Sequence, residues 1–203
     1  VAVTGVQTCA LPICQSFFGN IARRLIVSLK LYRILPLRFV VGYDATPRPY
    51  YSYCIFHAAD LASRLGYKSI SVLEFGVAGG NGLVAAEEII VLVERYFGVS
   101  IELYGFDTGQ GLPAATSIHD IPYWFLATQY AMQPEALRSR LKRAKLVIGD
   151  VAETVDQFLA SARFAPIGAI FWDLDFYSST RNGLKILDSR NSQHYLQIGR
   201  AHV

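Results

Sequence analysis

Cysteine is scarce in this chain: three residues in 203, Cys9, Cys14 and Cys54. That spacing builds neither a disulfide framework nor a Cys-x-x-Cys metal site, and it fits a reducing, cytoplasmic setting. Charge is sparse as well, at 17% of residues with a net charge of +3. No run of lysine or arginine occurs, so a nucleic-acid partner is not expected. No stretch of about 20 mostly uncharged apolar residues is present, so no transmembrane span is expected. Gly-Lys-Ser/Thr is missing, which rules out a P-loop. There is no internal repeat, low-complexity tract or sign of a second domain. What the chain does have is 52% hydrophobic residues, enough for the core of one α/β domain.

Two terminal stretches do not fit the rest. Val3-Thr-Gly-Val-Gln-Thr-Cys-Ala-Leu-Pro-Ile13 and Ile198-Gly-Arg-Ala-His-Val203 resemble translated short-read sequencing adapters. The neighbouring codons agree: Cys14 can carry the T left over from the first, and Gln197 can carry the AG that opens the second. The expectation is a metagenomic fragment whose residues 1–14 and 197–203 are artefact, with the native start and end missing. Such scars are set aside in fold reasoning. Without them the chain carries 18 basic and 16 acidic side chains.

Residues 15–66 read as an N-terminal helical segment. Phe17, Phe18, Ile21, Leu25, Ile26, Leu29 and Tyr32 recur at helical spacing, with Arg23, Arg24, Lys30 and Arg33 between them. The expectation is a helix packed on the domain or covering its ligand. The alternative is an interfacial helix that touches an anionic membrane or a partner subunit, the candidate surface for a homo-oligomer. Thr46-Pro-Arg-Pro49 interrupts the pattern, and Tyr50, Tyr51 and Tyr53 follow, either as packing or as the lining of a substrate mouth. A second helix is expected over 52–65, with Ile55, Ala58, Ala59, Ala62 and Leu65 on one face and Gly66 closing it.

From Ser69 onward strands and helices alternate. Strands are expected at 69–75, 101–106, 145–148 and 167–172. Helices are expected at 83–97, 123–132, 134–143 and 152–161 and from Ser179 on, with a loop through 109–122. Apolar strands alternating with helices predict an α/β fold: a Rossmann-like, doubly wound, mostly parallel sheet with helices on both faces, spanning 67–196 and truncated at its C-terminal end.

The chain is organised around Glu74-Phe-Gly-Val-Ala-Gly-Gly-Asn-Gly82, where a strand runs into a glycine turn and then a helix. Such a turn lets the backbone approach a ligand closely while the helix's free N–H groups face it. Each expected strand also ends in an acid: Glu74, Asp107, Asp150, and Asp173 with Asp175. In an open parallel sheet, ligands bind beyond the carboxyl ends of the strands. One aspartate there reads as a helix cap; four at one edge point to a ligand.

These motifs resemble class I S-adenosylmethionine-dependent methyltransferases, above all the macrocin O-methyltransferase-like branch, which acts on sugar or natural-product hydroxyls. The match spans residues 50–187 and rests on four segments. They are the glycine turn, Asp107-Thr-Gly-Gln-Gly-Leu-Pro113, Val147-Ile-Gly-Asp150, and Phe171-Trp-Asp-Leu-Asp-Phe-Tyr-Ser-Ser-Thr180. The resemblance implies S-adenosylmethionine as cofactor, with main-chain groups of Gly76, Gly80, Asn81 and Gly82 around its methionine part and Glu74 holding the first turn of the site. Asp107, with Thr108, would meet the ribose hydroxyls, and Asp150 the adenine amino group, with Val151 packed on the ring. Asp173 would lie near the transferred methyl as the catalytic residue and as the first ligand of a divalent ion, Mg²⁺ in that branch. Its further acidic ligands would follow the next strand, beyond this chain's genuine part. The partner implied is a small-molecule hydroxyl.

The remaining candidates are weighed on their own patterns. His119 lies in the long loop and His57 on a helix; either could be a general base, with a solvated histidine the expectation for His119. Asp175 reads as a second metal ligand or as the cap of the helix expected from Ser179. Two other functions compete. Gly80-Asn-Gly-Leu-Val-Ala85 matches the G-x-G-x-x-A of NAD(P)-dependent oxidoreductases. However, Phe75 ends the strand five residues before Gly80, and Asp107 follows Gly80 by 27 residues where about 20 is usual. A non-catalytic nucleoside-binding protein of the same fold is the other.

Overall fold

A computed structural model of the chain describes residues 17–161, 163–188 and 192–196. The two stretches read as adapter, 1–14 and 197–203, lie outside the described residues.

The helical pattern of the N-terminal segment is broken by its own sequence. Helix α1 (Phe17–Ser28) gives way to Lys30 in the left-handed region (φ 54°) and a 3₁₀ turn at Leu31–Arg33. Helix α2 (Leu37–Gly42) then starts directly after Pro36, which has no amide to continue the earlier helix and disfavours helical geometry in the residue before it. The side-chain pattern of α1 differs from the expectation too. Ile26 packs against the core, but Ile21, Leu25 and Leu29 are exposed. The segment is fastened one turn later, where buried Tyr32 donates to the Glu88 carboxylate and Arg33 pairs with the same group at 3.2 Å. Helix α3 (Pro49–Arg64) begins at Pro49, whose missing N–H and preset φ suit the first helical position.

Four strands follow: β1 (Ser69–Phe75), β2 (Ser100–Asp107), β3 (Lys145–Ile148) and β4 (Ile167–Trp172). They pair in the order β3-β2-β1-β4, all parallel. Helix α4 (Asn81–Phe97) links β1 to β2, and α6 (Val151–Ser161) links β3 to β4, with α5 (Pro134–Arg140) and α7 (Tyr177–Gly183) beside the sheet's carboxyl edge. Period-two alternation sends β1 side chains to both faces. Ile70 and Val72 join Ile55, Ala59 and Ile90 of α3 and α4 in one core, while Leu73 and Phe75 join Val155 and Phe158 of α6 in another. Phe75 lies between Phe106 and Trp172, with ring centroids 4.6 and 4.7 Å away, so three neighbouring strand ends are stacked directly beneath the carboxyl edge. No helix among the described residues is long and apolar enough to cross a membrane.

One expected element is absent. Residues 123–132 form turns rather than a helix, with Thr128 and Tyr130 at φ 68° and 60°. Tyr123, Trp124 and Leu126 are exposed, so their spacing buries nothing against the domain. The backbone folds back instead onto the preceding loop, with Thr128 N–H donating to Leu112 O and Leu112 N–H to Gln129 O, both at 2.8 Å.

The chain leaves β1 through α4 to β2 on one side and returns through α6 to β4 on the other. The carboxyl ends of β1 and β4 therefore flank the point where strand order reverses, where such sheets bind ligands.

Candidate active site

A cleft of about 330 Å³ opens at that point, walled by the glycine turn, the ends of β2, β3 and β4, and the loop 111–113. Two glycines of the turn are required by space. Gly76 has φ 86°, and a Cβ there would stand 2.1 Å from the carbonyl oxygen of Asp173. At Gly82 a Cβ would meet Glu74 Oε1 at 2.2 Å and the Tyr51 hydroxyl at 2.5 Å. Gly80, also left-handed at φ 73°, precedes α4, and no side chain caps that helix. Asn81 and Gly82 thus begin α4 at the cleft, where free N–H groups favour an anion or a lone pair.

The four strand-end acids meet in this cleft but do different work. Asp107 braces the turn: its Oδ2 accepts from Val77 N and Ala78 N, both at 2.9 Å, and its Oδ1 from Gly109 N at 2.7 Å. Asp150 is a helix cap after all, since Oδ1 accepts from Ala152 N at 2.8 Å at the start of α6. Thr108 shapes the next turn by donating to Gly111 O at 2.7 Å, and Val151 is buried at the cleft wall.

Glu74 is the unusual one. It is only 2% exposed, and its Oε2 has no hydrogen-bond partner among the described residues. The Tyr51 hydroxyl lies beside the Glu74 carboxyl, and Tyr51 stacks on Phe171 of β4 with centroids 4.0 Å apart. Burial pushes the Glu74 carboxyl up to about 7, the nearby Asp173 and Asp107 add to the rise, and the Tyr51 hydroxyl and Arg48 oppose it. A buried oxygen left unpaired is costly. Here it belongs to a residue that lines the cleft.

Asp173 and Asp175 follow β4 on the cleft's other wall. Asp175 does not cap α7. The cap position belongs to buried Phe176, and the helix amide of Ser178 is taken by Asp120 at 2.8 Å. Burial and neighbouring Asp173 push the Asp175 carboxyl up. Among the described residues no three His, Cys, Asp or Glu side chains converge as metal donors. A hard divalent cation wants about six oxygens, of which Asp173 and Asp175 would supply only part.

No histidine lines the cleft among the described residues. His119 is exposed, its Nδ1 2.9 Å from Ser117 Oγ and its ring beside Tyr177. His57 lies exposed on α3 against Tyr53, outside the cleft.

Four functional side chains had no local signature. Arg48 lines the cleft just before α3. Arg140 of α5 grips the turn, donating to Gly79 O and Asn81 Oδ1, both at 2.8 Å, while Leu137 covers Gly80. Tyr51, expected as packing or as the lining of a mouth, is buried with its hydroxyl beside Glu74. Asp120, fully buried, accepts from Thr116 N, Thr116 Oγ1 and Ser178 N, so it ties the long loop to α7. Asp120→Ala is expected to cost about 2 kcal/mol in urea unfolding, from lost bonds to a buried charge. It should also speed proteolytic nicking within 114–130. An unchanged cleavage rate there would mean the latch does not order the loop.

No family model and no curated protein matches the chain. Among solved structures it resembles the crystal structure of CalS11, a calicheamicin methyltransferase, with a TM-score of 0.54 and 22% sequence identity over 85% of this chain and 74% of that one. An apo structure of CalS11, described as a TDP-rhamnose 3'-O-methyltransferase of calicheamicin biosynthesis, gives a TM-score of 0.43 and 21% identity over 85% of this chain and 72% of that one. The strand order, the parallel pairing and the likeness to the first of these structures agree on one conclusion: the chain has the Rossmann-like α/β fold.

Proposed function

We propose that this chain is an S-adenosylmethionine-dependent methyltransferase that acts on a hydroxyl oxygen of a small molecule of the sugar or natural-product kind. The observation that carries the reading is the orphaned Oε2 of Glu74, a residue of the cleft lining that also holds Asp107, Asp150 and Asp173. Five carboxylates line the cleft, Asp175 among them, and together favour a cationic ligand.

S-Adenosylmethionine, when bound, supplies a methyl group on a positively charged sulfur. The chain's own residues hold and orient. Gly76, Gly80, Asn81 and Gly82 bring main-chain groups against the methionine part. Asp107 keeps the turn in place with three amides and offers its remaining lone pair to the ribose hydroxyls. Asp150 offers the oxygen that α6 does not use, and Val151 packs on the adenine. Asp173 and Asp175 are the carboxylates placed to receive the acceptor's proton as its oxygen aligns with the methyl. The activity ascribed to CalS11 is in keeping with this reading. The dinucleotide reading is less well supported, because Gly80 directly precedes α4 and Gly82 lies inside it, whereas that fingerprint places its first glycine at the strand's end.

Titration calorimetry with S-adenosylhomocysteine tests the proposal. Saturable one-to-one binding is expected, weakened roughly tenfold or more in Asp107→Ala. No saturable binding, or saturation by NADH instead, would sink it.

A further inference from the structure

The long loop between β2 and α5 leaves its largest apolar side chains in water. Tyr123 and Trp124 are 78% and 74% exposed, and Ile118, Leu126 and Tyr130 are each more than half exposed. No charged side chain interrupts residues 121–133. An uncharged exposed patch of this kind marks a contact surface.

The loop is fastened to the rim of the cleft on two sides. Thr128 and Gln129 pair through their backbone with Leu112, which lines the cleft, and Tyr130 belongs to the lining itself. On the other side Asp120 holds the Ser178 amide, and the His119 ring lies 5.3 Å from that of Tyr177. The Phe125 ring lies 6.2 Å from Phe176, another residue of the lining. Ile121, Thr128 and Tyr130 have φ of 51°, 68° and 60°, a region costly for side chains branched at Cβ. Such strain persists only where the surroundings enforce it, and here the Asp120 latch and the Leu112 pairing do so. The aromatic patch is therefore a braced extension of the cleft.

Charge selects what such a surface can take. Five carboxylates line the cleft against one basic side chain, Arg48, among the described residues, and the patch adds no cation. That field opposes a phosphate-bearing acceptor. Uncharged rings instead offer flat area to another uncharged ring system, through burial and stacking.

Resting on the proposed methyltransferase reading, we infer that residues 118–130 form the acceptor platform. The acceptor is a neutral molecule with a flat apolar ring system that stacks on Tyr123 and Trp124, and its hydroxyl enters the cleft. A nucleoside-diphosphate sugar is not the substrate.

The test compares two carriers of the same sugar, 4-methylumbelliferyl glucoside and UDP-glucose. Calorimetry is run on the chain saturated with S-adenosylhomocysteine, with Mg²⁺ present to give the anion its best chance. The aryl glucoside should bind at least roughly tenfold tighter than UDP-glucose. Trp124→Ala should weaken the aryl glucoside roughly tenfold, and Trp124→Phe should restore most of the loss. Affinity for S-adenosylhomocysteine should stay unchanged in both variants, which also shows that they are folded. No binding of the aryl glucoside, equal or tighter binding of UDP-glucose, or an unaltered affinity in Trp124→Ala would overturn the inference and leave the cofactor reading standing. If sedimentation shows a dimer that Trp124→Ala splits, the rings serve a second copy and the inference falls. If S-adenosylhomocysteine itself does not bind, the methyltransferase reading falls and this inference falls with it.

Discussion

Gly76→Ala is expected to destabilise the protein by roughly 3–5 kcal/mol, the sum of a left-handed alanine and an overpacked contact, and to abolish ligand binding. The reason is that the peptide cannot move aside. Gly76 N donates to Phe106 O at 2.9 Å on the β2 side, and Asp173 N donates to Phe75 O at 2.8 Å on the β4 side. The new methyl would point at the Asp173 carbonyl oxygen, 2.1 Å away. Relief therefore requires β1 and β4 to part at the place where the cleft begins. Gly79→Ala provides the contrast, since nothing lies within 4 Å of a Cβ there and φ is not left-handed. Urea unfolding of the two variants should differ by several kcal/mol in the order stated. Stabilities within about 1 kcal/mol of each other would mean that the β1–β4 contact is not rigid.

The second large effect is a gain in stability at the expense of binding. Burial raises the folded-state carboxyl of Glu74 to about 7 from its ordinary value of 4.5, so the folded chain holds this proton more tightly than the unfolded chain does. Its contribution to stability is therefore complete below about pH 4.5 and is lost as pH rises through about 7. The shift corresponds to about 3 kcal/mol above pH 8. Glu74→Gln keeps a hydrogen bond to Tyr51 without the buried charge. It should match the unaltered protein near pH 4.5 and exceed its stability by up to about 3 kcal/mol at pH 8. Urea unfolding from pH 5 to 9 reads this directly; parallel curves for the two proteins would show that Glu74 carries no such shift. The same variant should bind S-adenosylhomocysteine more weakly, since its neutral amide no longer attracts an ammonium. Loss of affinity coupled to a gain of stability is the mark of a group kept for a ligand rather than for the fold.

How much of this was legible in the sequence depends on the range of the interaction. The strands at Ser69, Lys145 and Ile167, the helix expected over 83–97 (Asn81–Phe97 in the structure) and the Rossmann-like order are local matters. Apolar runs, period and glycine punctuation lie within a few residues of one another. The acids at the strand ends were legible for the same reason, because Glu74, Asp107, Asp150 and Asp173 each lie within two residues of a strand's last residue. The helix expected over 123–132 failed because periodicity reports a face and not what covers it. Tyr123 and Trp124 found nothing to pack on, and the backbone paired with Leu112 instead.

What each acid does was decided only by the tertiary structure. Asp150 is the exception, a cap whose partner is the amide two residues on. Asp107 braces amides 29 and 30 residues earlier, and Asp120, unremarkable in sequence, holds an amide 58 residues away. Glu74 became an unpaired charge only when α3 laid Tyr51 over it and packing sealed it from water. By itself, then, the sequence determined the strands, the glycine turn and the acids that reach the carboxyl edge, because propensity and alternation act over a few residues. The tertiary structure decided which of those acids brace the backbone and which one keeps a buried oxygen without a partner. That choice depends on desolvation and on partners brought from distant segments, which no local pattern encodes.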